Sequence, residues 1–134
     1  MPYGPRLELA TFDTVDSSFR RGILGALVEV LAMANAAHLQ LHPETPKLYG
    51  SRVRYVFNRD RWSDIPTALK YGEGDCKDFT GWRLAELRRE GIQVSPHVTV
   101  RTEMTPKGLV TIYHVLVEYP DGRLEDPSRM LGMQ

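Results

Sequence analysis

The chain has 134 residues, a length that suits one domain with a single hydrophobic core. Hydrophobic residues make up 42% of it, and 17 basic residues balance 17 acidic ones, so a nucleic-acid-binding protein is not expected. One cysteine, Cys76, excludes an internal disulfide and a zinc ribbon built from several cysteines, and it favours a reducing compartment.

The N-terminal sequence shows no targeting signal. Residues 1–6 lack the apolar segment of a signal peptide, so we expect a cytoplasmic protein. The most apolar stretch, Ile23 to Ala37, is interrupted by Glu29 and is shorter than the roughly 20 residues that span a bilayer. We expect it to form a buried helix and not to contact a membrane.

The first predicted element is a long helix. Residues 1–15 have no clear period and are expected to form an arm, whereas Asp16 or Ser17 is a suitable N-cap for a helix that runs to about Leu39. The sequence 42–46, with two prolines, ends this helix. We expect the helix to be central to the fold, because its core residues are apolar on most sides. These are Ala26, Leu27, Val30, Leu31 and Ala34.

The middle of the chain contains short elements and a second long helix. Residues 53–57 alternate between apolar and polar and predict a short strand or an extended loop. A short helix is predicted at residues 65–69. The helix that begins at Cys76 runs to about Glu90 and ends at Gly91, a favourable residue after a helix C-terminus.

The last third of the chain predicts three strands, at residues 94–102, 109–119 and 123–126. In the second strand, Val115 and Val117 share one face and His114 and Leu116 share the other. Helices followed by an antiparallel sheet give an α+β fold in a single domain. We divide the domain into residues 1–46, the arm and first helix, and residues 47–134, the core that carries the chemistry.

Cys76 lies where a glycine-rich turn meets a helix. Gly72 and Gly74 precede it, and Asp75 is a suitable N-cap that leaves Cys76 in the first turn. The positive end of a helix dipole can lower a thiol pKa below its free value of roughly 8.5. The sequence therefore predicts a nucleophilic thiolate at Cys76, although a single cysteine is also a common buried residue.

A base for this thiol is expected on a strand. Both His97 and His114 are candidates, and we prefer His114 because a carboxylate lies within hairpin reach of it. A loop of two residues, Asp121 and Gly122, would place Asp126 opposite Val117, on the wrong face of the sheet.

A loop of three residues gives the productive register. Pro120 and Asp121 then form a type I turn and Gly122 adopts the left-handed conformation. This pairing puts Asp126 opposite Leu116 and diagonal to His114, roughly 7 Å away by backbone. We predict this register, with the alternative that Asp126, which precedes a proline, only caps a turn.

Cys76, His114 and Asp126 would then act as nucleophile, base and orienting group. A developing oxyanion needs hydrogen-bond donors, and the Cys76 backbone N–H is one of them. The second is either the Tyr71 hydroxyl or the Trp62 indole N–H, and the sequence leaves both open.

Arg83 does not fit a simple core, although it shares a helix face with Cys76. It is expected either to pair with a buried carboxylate or to lie near the site. A zinc site is the other chemical interpretation, with Cys76, His97, His114 and Asp126 as ligands. No closely spaced ligand pair supports that interpretation, so we expect neither a metal nor an organic cofactor.

Three separated motifs carry a resemblance to a known family. These are Gly74-Asp75-Cys76-Lys77-Asp78-Phe79, Tyr113-His114-Val115 and Leu124-Glu125-Asp126-Pro127-Ser128. In this order they resemble the transglutaminase-like superfamily, over about residues 47–134. Residues 82–88 and 126–133 are similar to short forms from bacteriophages and bacteria, the transglutaminase-like cysteine peptidases.

The resemblance implies a papain-like fold, a Cys-His-Asp triad and, for Arg83, a place in the family pattern. It implies a peptidase or amidase that acts on peptide or protein amides, and a location in the host cell or the virion for a phage-encoded chain. The first alternative is transglutaminase-type acyl transfer. The second is a catalytically silent binding or assembly module of a phage particle. The sequence does not give the oligomeric state.

Overall fold

A computed structural model describes residues 17–58 and 60–134, and the predicted arm lies outside the described residues. The fold is α+β, as the sequence predicts. The helices are α1 (Ser17–Leu41), α2 (Ile65–Tyr71), α3 (Cys76–Arg89) and α4 (Pro127–Met130), with a 3-10 turn at Leu48–Gly50. The strands are β1 (Arg54–Tyr55), β2 (Glu73–Gly74), β3 (Ser95–Thr105), β4 (Gly108–Glu118) and β5 (Leu124–Glu125).

Two small sheets organise the described residues. The larger sheet is antiparallel, in the order β3-β4-β5, and its first two strands form a long hairpin. The smaller sheet pairs β1 with β2 in parallel, Arg54 opposite Glu73 and Tyr55 opposite Gly74. The sequence predicts the hairpin strands to within three residues, whereas it gives no sign of β2 or α4.

The central helix is α3 and not α1. Its side chains contribute to both hydrophobic clusters of the core. Leu84 and Leu87 pack with residues of α1 and β4, and Phe79 and Trp82 pack with α2 and the segment before β1. Burial on nearly all sides lets this helix fix the position of every element around it.

The α1 helix packs on α3 and β3 through a narrow stripe. Leu24, Val28 and Ala32 are buried, whereas Val30 is 62% exposed and Met33 is 69% exposed. The predicted core of α1 is therefore wrong at Ala26, Val30 and Ala34, whose side chains are all exposed. The buried stripe repeats every four residues and points at α3.

α1 is longer than the apolar stretch from Ile23 to Ala37, which is shorter than a membrane span. Residues 18–41 form a helix long and apolar enough to cross a membrane, by length and composition alone, and 33% of its most apolar stretch is buried.

A buried amide connects α1 to the rest of the domain, because the Asn35 side chain accepts a hydrogen bond of 2.9 Å from the Ile65 N–H. That bond positions the first turn of α2.

Candidate functional site

The start of α3 is set by the short parallel sheet. α2 ends at Gly72, which has the left-handed φ of 71°, and the chain then runs through β2 directly into α3. A Cβ at Gly74 would lie 2.8 Å from the Phe79 ring, so only glycine fits there without displacement. This close approach places Cys76 at the first position of α3, beside Tyr55 of the paired strand.

A buried charge cluster secures the same turn. The Asp78 carboxylate accepts hydrogen bonds from the Ser63 N–H at 2.7 Å and from the Asp75 N–H at 3.1 Å. The Lys77 ammonium donates to the Asp75 carboxylate at 2.6 Å and to the Asn58 carbonyl at 2.7 Å. Burial and the Asp75 carboxylate raise the pKa of Asp78 to about 8. Asp78 therefore completes the capping box of α3 from a fully buried position.

The sulfur of Cys76 lies at an open stretch of the β4 edge. β5 pairs with β4 only at Val117 and Glu118, so among the described residues the β4 backbone beyond them has no strand partner on that side. The first two turns of α3 fill this position. The Val115 N–H faces the Cys76 sulfur, and the Thr80 hydroxyl donates to the Val115 carbonyl at 3.2 Å.

Burial has the opposite effect on the Cys76 thiol from the one that the helix dipole predicts. Burial, and after it the Asp75 carboxylate, raise the pKa of Cys76 to about 12. The Val115 N–H and Lys77 lower the pKa but do not offset these effects. In the resting structure these effects favour the protonated thiol over the thiolate that the helix dipole predicts.

The hairpin that carries the predicted acid has the predicted register. Gly122 has a φ of 89°, and its N–H donates to the Tyr119 carbonyl at 2.9 Å. The Tyr119 N–H in turn donates to the Arg123 carbonyl at 2.9 Å. Val117 lies opposite Glu125, in the register that the loop of three residues predicts. The turn of three residues is confirmed.

His114 and Asp126 form a direct pair. Nε2 of His114 lies 2.9 Å from Oδ2 of Asp126, and both side chains are largely buried. An ionised carboxylate only accepts hydrogen bonds, so Nε2 carries the proton and Nδ1 holds the free lone pair. The other Asp126 oxygen accepts from the Ser128 and Arg129 N–H groups and caps α4. Asp126 therefore both caps a turn and orients the imidazole.

Cys76 and His114 are neighbours through the backbone of β4, because the sulfur faces Val115, the next residue after His114. Within residues 17–58 and 60–134, no hydrogen bond joins the sulfur to the imidazole. The pair is therefore not engaged in the resting structure.

The remaining predicted site residues have other contacts. Trp62 is half-buried. The ammonium of Lys77, the residue after Cys76, lies 5.5 Å from the centre of the Trp62 ring. Tyr71 is at the exposed end of α2, with the Arg61 guanidinium 4.6 Å from its ring centre. Arg83 donates to the Glu125 carboxylate at 2.6 Å, which is the carboxylate pairing that the sequence left open.

Tyr55 is the site residue that sequence reasoning missed. Burial, and after it the negative charges that Cys76, Asp75 and Asp126 carry when ionised, raise the pKa of Tyr55 to about 12, so its side chain lies near these groups. Its N–H also donates to the Leu131 carbonyl at 2.8 Å, next to α4. No local signal reveals this position, because it depends on the parallel pairing of β1 with β2.

The described part of the chain does not bring the four proposed zinc ligands together. His97 pairs with Glu118 at 3.0 Å on the sheet surface. Among the described residues, no group of three His, Cys, Asp or Glu side chains is arranged to hold a metal ion.

Comparisons with protein-family models, with curated proteins and with solved structures find no match to this chain.

Proposed function

We propose that this chain is a cysteine-dependent amide hydrolase of transglutaminase-like type, with a papain-like core. The observation that carries the proposal is the hydrogen bond of 2.9 Å between His114 and Asp126. His114 lies on β4, and the Cys76 sulfur lies against the edge of the same strand. The order of the motifs also supports it, since the nucleophile helix precedes the base strand and the acid hairpin as in that superfamily.

Acylation begins with the protonated thiol. Nδ1 of His114 takes the proton of Cys76 as the sulfur attacks the carbonyl carbon, so a C–S bond forms and the carbonyl oxygen becomes an oxyanion. Because the pKa of Cys76 is about 12, proton transfer accompanies the attack instead of preceding it. Collapse of the intermediate breaks the C–N bond, and the imidazolium protonates the leaving amine.

Two donors are suited to the oxyanion. The Cys76 N–H has no partner within α3, because the first N–H groups of a helix lack one. The second is the Tyr55 hydroxyl, whose raised pKa of about 12 keeps it a neutral donor at physiological pH. Tyr55 replaces Tyr71 in this role, whereas the Trp62 indole N–H is retained as an alternative.

The thioester that remains on Cys76 is cleared by water. His114 takes a proton from the water as its oxygen attacks, the C–S bond breaks, and the proton passes to the sulfur. The same thioester in contact with an amine gives transglutaminase-type acyl transfer. We favour hydrolysis of peptide or protein amides, because water needs no second binding site.

A second candidate function is a catalytically silent binding or assembly module, such as one in a phage particle. Its specific support is the state of the resting site, where Cys76 has a raised pKa and no hydrogen bond to His114. A site that engages only when substrate binds would look the same before binding.

Acylation by p-nitrophenyl acetate separates the two functions. We expect wild-type protein to release p-nitrophenolate in a burst and to carry the acetyl group on Cys76, located by intact mass and peptide mapping. His114→Ala is expected to lower the acylation rate by about 10²- to 10⁴-fold, the usual worth of a general base. His97→Ala is the matched control, because it removes the other strand histidine, and it should leave the rate unchanged.

Two results would count against the hydrolase. One is acetylation at surface lysines with Cys76 unmodified. The other is acylation of Cys76 at the same rate in wild type and in His114→Ala. Either result favours the silent module.

A further inference from the structure

Glu125 lies at the centre of a hydrogen-bonded side-chain cluster beside the proposed site. It directly precedes Asp126, so the two side chains point to opposite faces of the chain. Its carboxylate accepts hydrogen bonds from the Arg83 guanidinium at 2.6 Å, from the Tyr119 hydroxyl at 2.5 Å and from the Tyr49 hydroxyl. Burial opposes ionisation of Glu125, but these bonds lower its pKa below the ordinary value.

The three donors come from three different elements. Arg83 lies on α3, two turns after Cys76, Tyr119 follows β4, and Tyr49 lies in the 3-10 turn. Arg83 also donates to Glu86 at 3.2 Å, and its guanidinium lies 4.9 Å from the centre of the Tyr49 ring.

Glu86 closes the cluster into a ring. Its second oxygen accepts from the Leu48 N–H at 2.7 Å, next to Tyr49. The nucleophile helix, the 3-10 turn and β5 are thereby linked through one set of bonds. A shift of β5 relative to α3 would break several of these bonds at once, so the cluster resists that motion.

The backbone hydrogen bonds between β4 and β5 do not by themselves hold Asp126 in place. β5 has only two residues, and its pairing with β4 ends at Glu125. Asp126 is therefore held by its cap of α4 on one side and by the fixed position of Glu125 on the other.

We infer that Arg83 and Glu125 are positioning residues, which hold Asp126 on His114 and keep that pair in register with Cys76. This inference rests on the proposed function for its effect on Cys76. It assigns Arg83 a role behind the acid and not in contact with substrate.

A double-mutant cycle tests the coupling. Glu125→Gln in the wild-type background should lower acylation of Cys76 by p-nitrophenyl acetate about tenfold, because neighbours in one network couple strongly. In the Asp126→Asn background the same change should lower the rate less than about twofold, since the group it positions is already lost. Glu118→Gln is the matched control, a glutamate of the same sheet that binds His97. It should have no effect in either background.

Arg83→Lys keeps a cation near Glu125 and should retain more activity than Arg83→Met. Tyr119→Phe removes a single hydroxyl from Glu125 and carries the test if Glu125→Gln unfolds. Urea denaturation of each variant shows that it is folded.

A spectroscopic readout is independent of catalysis. The Nε2 proton of His114 should give a downfield imidazole NMR signal in wild type, because its bond to Asp126 slows exchange with water. The signal should be lost in Asp126→Asn, weakened in Glu125→Gln and kept in Glu118→Gln.

The outcomes separate the two proposals. If Asp126→Asn and His114→Ala leave acylation unchanged, the proposed function fails, and the NMR signal alone decides the positioning role. If they lower acylation but Glu125→Gln has no effect, or has the same effect in both backgrounds, the positioning role is overturned.

Discussion

The burial of the two long helices is the opposite of what their compositions suggest. α1 is the more apolar helix, yet 33% of its most apolar stretch is buried. α3 carries Lys77, Asp78 and Glu86, yet all three are buried together with Phe79 and Trp82. Composition therefore does not identify the central helix of this domain.

The difference lies in what each helix offers its neighbours. Every buried ionisable side chain of α3 has a hydrogen-bond partner, such as the Ser63 N–H for Asp78 and the Leu48 N–H for Glu86. Buried charges with partners hold specific elements in place, whereas apolar residues pack on any apolar surface. The charged helix is central because it organises the site, and α1 covers one side of it.

The largest effect should come from removing a core ring of α3. Phe79→Ala should lower the free energy of unfolding by about 3–5 kcal/mol, because the ring is fully buried. Val30→Ala on α1 should change it by less than about 0.5 kcal/mol, because that side chain is 62% exposed. Urea denaturation measures both values. Equal losses in the two variants would mean that α1 buries its outward face in solution.

The pH dependence of stability should reside in α3. With a pKa of about 8 in the folded protein, Asp78 keeps a proton that the unfolded chain has released above its ordinary pKa. The folded state then binds more protons, so the free energy of unfolding falls as pH rises toward 8. Asp78→Asn removes this titration, so the stability of wild type relative to the variant should decline from pH 5 to pH 8.

Urea denaturation at several pH values measures that decline. Glu29→Gln, at the ion pair of 2.7 Å between α1 and Arg88, is the control and should run parallel to wild type over the same range. A constant difference between wild type and Asp78→Asn would show that Asp78 does not change its protonation on unfolding.

The smallest effect compares one glycine in each helix. A Cβ at Gly22 of α1 meets nothing within 4 Å, so Gly22→Ala should stabilise the protein by roughly 0.5–1 kcal/mol. A Cβ at Gly81 of α3 would lie 2.8 Å from the Leu31 side chain of α1. Gly81→Ala should therefore not stabilise the protein, because overpacking of this kind costs roughly 1–3 kcal/mol and offsets the gain in helix propensity. Thermal unfolding gives both values. Stabilisation by Gly81→Ala would show that α1 moves freely away from α3.

The features that the sequence predicts correctly are those set by neighbouring residues. The turn at Pro120, Asp121 and Gly122 has one favourable geometry, and that geometry determines the register that joins Asp126 to His114. The start of α3 at Cys76 follows in the same way from the glycines and acids around it.

The features that the sequence misses depend on partners far along the chain. Tyr55 enters the site through a parallel pairing with Gly74, which alternation within residues 53–57 does not reveal. The outward face of α1 was predicted as core because an apolar helix does not show which stripe meets its neighbour. In the described structure that stripe is Leu24, Val28 and Ala32.

The sequence by itself determined the α+β class, the hairpin register and the identity of the residues that pair on it, because turn and cap preferences are local. Tertiary structure alone decided that Cys76 is a partly buried thiol whose pKa is raised to about 12. It also decided that Arg83 pairs with Glu125, the residue that precedes Asp126. The physical reason is that desolvation and side-chain pairing depend on groups that only folding brings together.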